Sequence, residues 1–109
     1  MEPTRRFPRL TLQTELWLRQ QDGEFIRTND KLTVLSEGGC FIETSLRYPV
    51  GSTLHLRFKL PRATAPITCV VVVRNTGGGT GLGVEFTWIS PEDRHQIKSF
   101  VDRQLSARP

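Results

Sequence analysis

The sequence predicts an all-β domain: a small six-stranded antiparallel β-barrel with a C-terminal α-helix. Apolar and polar residues alternate with a period of two in successive stretches along most of the chain, as in half-buried strands. Short segments rich in Gly, Pro, Asn and Asp separate these stretches, and connections of hairpin length favour an antiparallel sheet that closes on itself. The period becomes helical only after Ser90.

The first half of the chain contains three of the predicted strands, at residues 10–19, 24–35 and 40–44. In the first strand, leucines share one face while Trp17 lies on the opposite, more polar face. The polar run at residues 29–31 interrupts the second strand and predicts a bulge or bend. Turns are expected at residues 20–23 and at Ser36-Glu37-Gly38-Gly39.

The second half contains strands at residues 53–60, 67–75 and 81–88 and then the helix. In the last strand, Phe86 and Trp88 are predicted to share a face. Ser90 is the expected N-cap and Pro91 the first helical residue, with acidic residues in the first turn. The inward face of the helix is predicted to carry Ile97, Phe100, Val101 and Leu105.

A chain of 109 residues fits one domain, with residues 1–9 as a flexible basic N-terminal arm and residues 10–106 as the barrel and helix. No apolar run is long enough to span a bilayer, and residues 2–9 lack the apolar centre of a signal peptide. Cys40 and Cys69 lie in apolar strands and are expected to be buried and reduced. These features predict a cytoplasmic protein without membrane insertion.

The net charge of +4 and the isoelectric point of about 9.7 favour an anionic partner. Arg5, Arg6 and Arg9 form a compact cluster before the first strand, and Ser36 and Gly39 lie in the turn after the second. The planar guanidinium group binds phosphate oxygens or a guanine edge with two hydrogen bonds, and it also stacks on bases. The competing interpretation is a solvated basic tail and an ordinary turn.

These residues and their order resemble the signature of the PilZ domain family. In that family R-x-x-x-R precedes the first strand and [D/N]-x-S-x-x-G follows the second. Arg5 and Arg9 match the first motif, with Arg6 as an additional guanidinium, and Ser36 and Gly39 match the second. Residues 81–86 and 90–94 also resemble the last strand and the helix of the family. Val34 departs from the pattern, because it stands where Asp or Asn is expected.

The resemblance implies a six-stranded barrel with a helix and a bacterial, non-catalytic receptor for the second messenger cyclic di-GMP. Arg5, Arg6, Arg9, Ser36 and Gly39 are then the expected ligand-binding residues. The implied partner is an effector protein connected with motility, surface structures or exopolysaccharide. Because valine cannot replace the hydrogen bonds of Asp or Asn, the alternative is a degenerate PilZ adaptor that acts through protein contacts alone.

Other functions have less support in the sequence. His55 and His95 have no appropriately spaced partners, so no metal site and no cofactor are expected, and no nucleophile has a recognisable base. The glycines of residues 77–83 lie between two strands, which favours a hairpin loop over a dinucleotide-binding turn. A nucleic-acid-binding barrel is disfavoured because the aromatic residues do not cluster as a stacking platform. Trp17 is the aromatic residue best placed for contact with a ligand or partner.

Overall fold

In the part of the chain that the structure describes, six antiparallel strands form a closed barrel in the order β1-β2-β3-β6-β5-β4, and one helix follows them. The computed structural model describes residues 8–19 and 24–106. The strands are β1 (Leu10–Arg19), β2 (Ile26–Leu35), β3 (Gly39–Glu43), β4 (Thr53–Phe58), β5 (Ile67–Asn75) and β6 (Gly81–Trp88), and the helix is α1 (Pro91–Ser106). The predicted fold class is therefore confirmed.

Alternate residues of the strands fill the interior of the barrel, because successive side chains of a strand point to opposite faces. Leu60 follows β4 and is still buried, although the strand ends two residues before the predicted limit. The largest fully buried side chains of the strands are those of Leu16, Leu32, Leu35, Ile42, Leu54, Leu56, Phe58, Ile67, Val71, Val73 and Leu82. All six strands thus contribute to one apolar core, which Leu60 and residues of α1 complete.

Helix α1 begins as its sequence predicts. The backbone N–H of Asp93 donates to Oγ of Ser90 at 3.1 Å, which satisfies one of the free donors of the first turn. Ile97, Phe100 and Val101 are buried and Leu105 is partly buried against the core. Within residues 8–19 and 24–106, no helix is long and apolar enough to cross a bilayer.

The predicted irregularity in β2 is confirmed by its pairing with β1. Glu15 pairs with Lys31 and Trp17 with Arg27, so β2 advances four residues where β1 advances two. Asp30 accepts a hydrogen bond from the hydroxyl of Thr44 at 2.8 Å, and this contact holds the bulged segment against the chain after β3.

The prediction that Trp88 shares a face with Phe86 was wrong. Val71 pairs with Phe86, but the adjacent Val70 pairs with Trp88, so Thr87 is an extra residue in β6. A one-residue bulge reverses the alternation of faces, and it moves Trp88 to the outer face, where the residue is 58% exposed. Periodicity alone could not reveal the bulge because no Gly or Pro marks it.

Both cysteines are buried and unpaired, as predicted. Burial raises the pKa of the Cys69 thiol to about 12, with a smaller contribution from the charge of Asp93. Burial also raises the pKa of Cys40 well above its ordinary value. Both side chains are therefore thiols at neutral pH and contribute to the core as small apolar groups.

Candidate functional site

A cleft of about 210 Å³ lies where the β2–β3 turn meets the end of β5 and the middle of β6. It brings together Arg9, Ser36 and Gly39, which belong to both predicted motifs. The other predicted ligand residues, Arg5 and Arg6, lie outside the described residues, as does most of the predicted arm. The full lining comprises Arg9, Val34, Ser36, Gly38, Gly39, Cys40, Arg74, Asn75, Gly83, Val84 and Glu85.

The hydroxyl of Ser36 organises the turn at the edge of this cleft. It accepts a hydrogen bond from the Gly38 N–H at 3.3 Å, and it donates to the carbonyl of Gly39 at 3.3 Å. The Ser36 N–H also donates to the Gly39 carbonyl at 2.9 Å. A serine hydroxyl has two acceptor lone pairs, so one remains for a further donor. Ser36 therefore fixes the backbone of the turn and keeps limited capacity for a ligand.

Gly39 allows β3 to approach β6 closely. A Cβ atom at this position would lie 2.2 Å from the backbone oxygen of Val84, closer than any real Cβ contact. The Gly39 φ angle is not in the left-handed region, so the requirement for glycine comes from this close packing of strands. Gly39 thus shapes the floor of the cleft by letting β3 and β6 pack closely.

Arg74 and Asn75 enter the same cleft from the end of β5, and motif reasoning did not identify them. Nε of Arg74 donates to Oε1 of Glu85 at 2.6 Å, and Oδ1 of Asn75 accepts from the Gly77 N–H at 3.2 Å. The pairing of Asn75 with Gly83 places the β5 end beside β6. The sequence alone does not identify these residues, because β5 comes near the β2–β3 turn only through the strand order β2-β3-β6-β5 of the closed barrel.

The charges of the cleft can be rearranged at small cost. Arg74 and Glu85 form an ion pair, and more than half of each side chain is exposed. Exposed pairs of this kind contribute about 0–1 kcal/mol, so an anionic ligand could draw Arg74 away from Glu85. Arg9 is exposed, and no acidic side chain among the described residues forms an ion pair with it. The cleft therefore offers one free and one releasable guanidinium group.

Val34 lines the cleft at the position where the PilZ signature has Asp or Asn. It is half-buried and pairs with Thr11 on one side and Phe41 on the other. Its side chain offers only apolar contact. Among the described lining residues, Asn75 has the only side-chain amide, and it lies on a different strand.

Helix α1 is linked to the turn that carries the cleft. Nε of Arg94 donates to Oε2 of Glu37 at 3.1 Å, and the Glu37 side chain is only 19% exposed. Because Glu37 lies between Ser36 and Gly38, this ion pair connects the first turn of α1 to the backbone that lines the cleft. A shift of the turn would therefore move or break an ion pair at the N-terminus of α1.

The remaining candidate residues form no second chemical centre in the described part of the chain. Oγ of Ser99 lies 3.4 Å from Nε2 of His95 on the exposed face of α1, and His55 contacts Arg19. No group of three or more potential metal ligands occurs among the described residues. The glycine-rich loop forms a short 3₁₀ turn, Gly77–Gly79, between β5 and β6, which agrees with the predicted hairpin connection.

A family model for the PilZ domain matches residues 3–103. The match covers most of the chain, and the chain belongs to the PilZ domain family. Comparison with curated protein sequences gives no significant match.

Several solved structures share this fold. Bacillus subtilis MotI/DgrA, an inhibitor of motility, is 23% identical with a TM-score of 0.77, and the alignment covers 99% of this chain and 55% of that one. The K. pneumonia MrkH–c-di-GMP complex is 19% identical with a TM-score of 0.73, covering 96% and 53%. The Escherichia coli YcgR PilZ domain with c-di-GMP is 16% identical with a TM-score of 0.66, covering 94% and 95%. The chain thus spans about half the length of the MotI and MrkH chains.

Proposed function

We propose that this protein is a non-catalytic bacterial receptor for cyclic di-GMP that relays the signal to an effector protein. The observation that supports this most strongly is the convergence of Arg9 with the Ser36–Gly39 turn on one cleft. These residues are far apart in sequence, and they belong to the two motifs that the PilZ family uses for its ligand. Membership of that family supports the same function.

In this proposal, Arg9 binds a phosphate or a guanine edge at the mouth of the cleft, and Arg5 and Arg6 join it from the N-terminal arm. The guanidinium groups supply paired hydrogen bonds and a stacking plane, which lysines would not. Ser36 and the glycine backbone form the opposite wall. Binding would bring the arm against the barrel, and the effector would recognise the altered surface.

A second candidate is a degenerate PilZ adaptor that does not bind cyclic di-GMP. The specific observation in its favour is Val34, whose apolar side chain lines the cleft in place of a hydrogen-bonding one. In this case the barrel would act through protein contacts alone. Both candidates place the protein in the bacterial cytoplasm, in a process such as motility or the formation of surface structures.

Titration calorimetry with cyclic di-GMP separates the two candidates. Intact protein should release binding heat, and Arg9→Ala should weaken binding by about tenfold or more because a charged hydrogen-bond donor is lost. Arg103→Ala is the matched control, since Arg103 is an exposed arginine on α1 and does not line the cleft.

Introducing Asp at position 34, where the PilZ signature has Asp or Asn, provides the complementary test. If intact protein gives no heat at high ligand concentration and Val34→Asp gains binding, the degenerate adaptor is the correct interpretation. Equal affinity for intact protein and Arg9→Ala would remove the proposed binding mode.

A further inference from the structure

The outer surface of β1 and β4 carries a second cluster of cations, far from the cleft. We define the basic–aromatic face as Trp17, Arg19, Phe25, Arg57, Lys59 and Arg62. In the closed barrel β4 and β1 are neighbours, and their junction is opposite the junction of β3 and β6. The cleft lies on the β3–β6 side, so the two surfaces can be occupied at the same time.

The centre of this face is built from side chains in register across two strands. Trp17 pairs with Arg57, and Arg19 pairs with His55. These residues alternate with Leu16, Leu18 and Leu56, which are buried, so they point outward from the barrel. The Arg57 guanidinium lies 4.1 Å from the centre of the Phe25 ring, and that of Arg19 lies 5.1 Å from it.

The arginines of this face have no carboxylate partners among the residues that the structure describes. Arg19 contacts His55 Nδ1 at 2.9 Å, and Nε of Arg57 donates to Thr68 at 3.3 Å. Nε of Arg19 is buried without any hydrogen-bond partner within the described chain. An unsatisfied buried donor is costly, and stacking on Phe25 holds both guanidinium groups in place without neutralising them. Two fixed positive charges thus remain available to a partner.

The face continues into a larger cleft of about 530 Å³ between β1 and the chain after β4. Trp17, Lys59 and Arg62 contribute to its lining, together with Lys31. Lys59 and Arg62 are exposed, and no ion pair with a described residue neutralises either. Trp and Arg, like Tyr, are enriched at the energetic centres of protein interfaces.

Arg62 occupies a backbone position that normally favours glycine. The Ala63 N–H donates to the Leu60 carbonyl at 3.0 Å, which closes a turn with Pro61 and Arg62 at its centre. The φ angle of Arg62 is 68°, in the left-handed region, as the third position of a type II turn requires. Glycine or asparagine would adopt this conformation at lower cost. An arginine at a strained position beside other unpaired cations points to a use for its charge.

We infer that the basic–aromatic face binds an acidic segment of a partner protein, with apolar side chains of that segment against Trp17. The inference rests on the adaptor part of the proposed function and is independent of nucleotide binding. Charge complementarity favours an acidic chain. A nucleic acid fits less well, because the Arg57 guanidinium covers the ring of Phe25 that a base would need.

Fluorescence anisotropy tests this inference on the full chain. The probes are a labelled peptide of Glu and Asp with interspersed leucines, and labelled oligothymidylate. The peptide should bind the intact protein, and Lys59→Glu/Arg62→Glu should weaken binding by about tenfold. The control Arg47→Glu/Arg103→Glu has the same net charge, alters exposed arginines outside the face, and should leave affinity within about twofold of the intact protein.

Three results would overturn the inference: no peptide binding at low salt, equal losses in the two double variants, or tighter binding of oligothymidylate than of the peptide with loss in Lys59→Glu/Arg62→Glu. Cyclic di-GMP titration of Lys59→Glu/Arg62→Glu keeps this test separate from the proposed function. That variant should bind the nucleotide as the intact protein does, because neither residue lines the Arg9 cleft.

Discussion

The Arg9 cleft and the basic–aromatic face lie on opposite sides of one barrel and are built differently. The cleft is shaped by backbone: Gly39 lets β3 approach the Val84 carbonyl, and Ser36 folds the turn through its own hydrogen bonds. The centre of the face is shaped by side chains that project from β1 and β4, such as Trp17 and Arg57. Substitutions of Gly39 and Ser36 should therefore affect folding and binding together, whereas substitutions on the face should affect binding alone.

The largest effect is expected from Gly39→Val. The new side chain would overlap the Val84 carbonyl, and neither backbone can move without breaking the β3–β6 pairing. We expect a loss of about 3 kcal/mol or more in the free energy of unfolding, measured by urea denaturation.

Gly83→Ala is the control for this effect. Its Cβ would meet the side-chain amide of Asn75 at 2.5 Å, and this exposed side chain can rotate away at the cost of its hydrogen bond from the Gly77 N–H. A smaller loss than for Gly39→Val is expected, and equal losses would contradict the distinction between backbone and side-chain crowding.

A second effect concerns the two buried cysteine thiols in the core that both surfaces share. The folded state raises the pKa of the Cys69 thiol to about 12 and also raises that of Cys40. Because the folded protein holds these protons more tightly than the unfolded chain, the contribution to stability is complete below the thiol pKa of the unfolded chain. This contribution is lost as the pH rises above that value towards the pKa of the folded state. At pH 10 the Cys69 thiol should cost about 1 kcal/mol of stability relative to pH 8, and Cys40 should act in the same direction.

Cys40→Ala/Cys69→Ala should show a flatter loss of stability between these pH values, measured by urea denaturation at each pH. Both thiols should also react with a disulfide reagent only on unfolding. Rapid modification of the native protein would contradict the burial described above.

Ser36→Ala is expected to have an effect of about 1 kcal/mol on stability, because the Gly38 N–H loses its acceptor. If the proposed function is correct, its affinity for cyclic di-GMP should fall as well. Ser99→Ala on α1 is a matched control and should change nucleotide affinity little. A Ser36→Ala protein with unchanged stability and affinity would show that the hydroxyl is dispensable to the turn.

The smallest effect on stability is expected on the opposite side of the barrel. Arg62→Gly removes the strain of the left-handed backbone but gives the unfolded chain more freedom, and the two contributions are similar in size. The melting temperature should therefore change little, while binding of the acidic peptide decreases. A clear loss of stability would show that Arg62 supports the fold and would weaken the contrast between the two surfaces.

Sequence reasoning predicted what depends on local pattern and missed what depends on closure of the barrel. The alternation of Leu54, Leu56 and Phe58 predicted β4, and Ser90 and Pro91 predicted the start of α1. The family resemblance nominated Arg9, Ser36 and Gly39. Arg74 and Asn75 could not be nominated, because their position beside the β2–β3 turn depends on pairing between strands that are distant in sequence. Trp88 was misplaced because a bulge without Gly or Pro leaves no local signal.

The basic–aromatic face shows the same limit. The sequence predicted that Trp17 faces outward, but the stacking of Arg19 and Arg57 on Phe25 depends on the pairing of β1 with β4, whose members are separated by two other strands in the chain. The turn type at Arg62 was equally hidden, since arginine is not a residue that indicates a left-handed conformation.

Nucleotide binding at the Arg9 cleft is tested most directly by an amide NMR titration of ¹⁵N-labelled protein with cyclic di-GMP. If the Arg9 cleft binds the nucleotide, the backbone signals of Gly38, Gly39 and Gly83 shift as ligand is added, while the indole signal of Trp17 on the opposite side stays in place. Shifts centred on Trp17, or no shifts at any signal at high ligand concentration, would contradict the assignment of nucleotide binding to the Arg9 cleft.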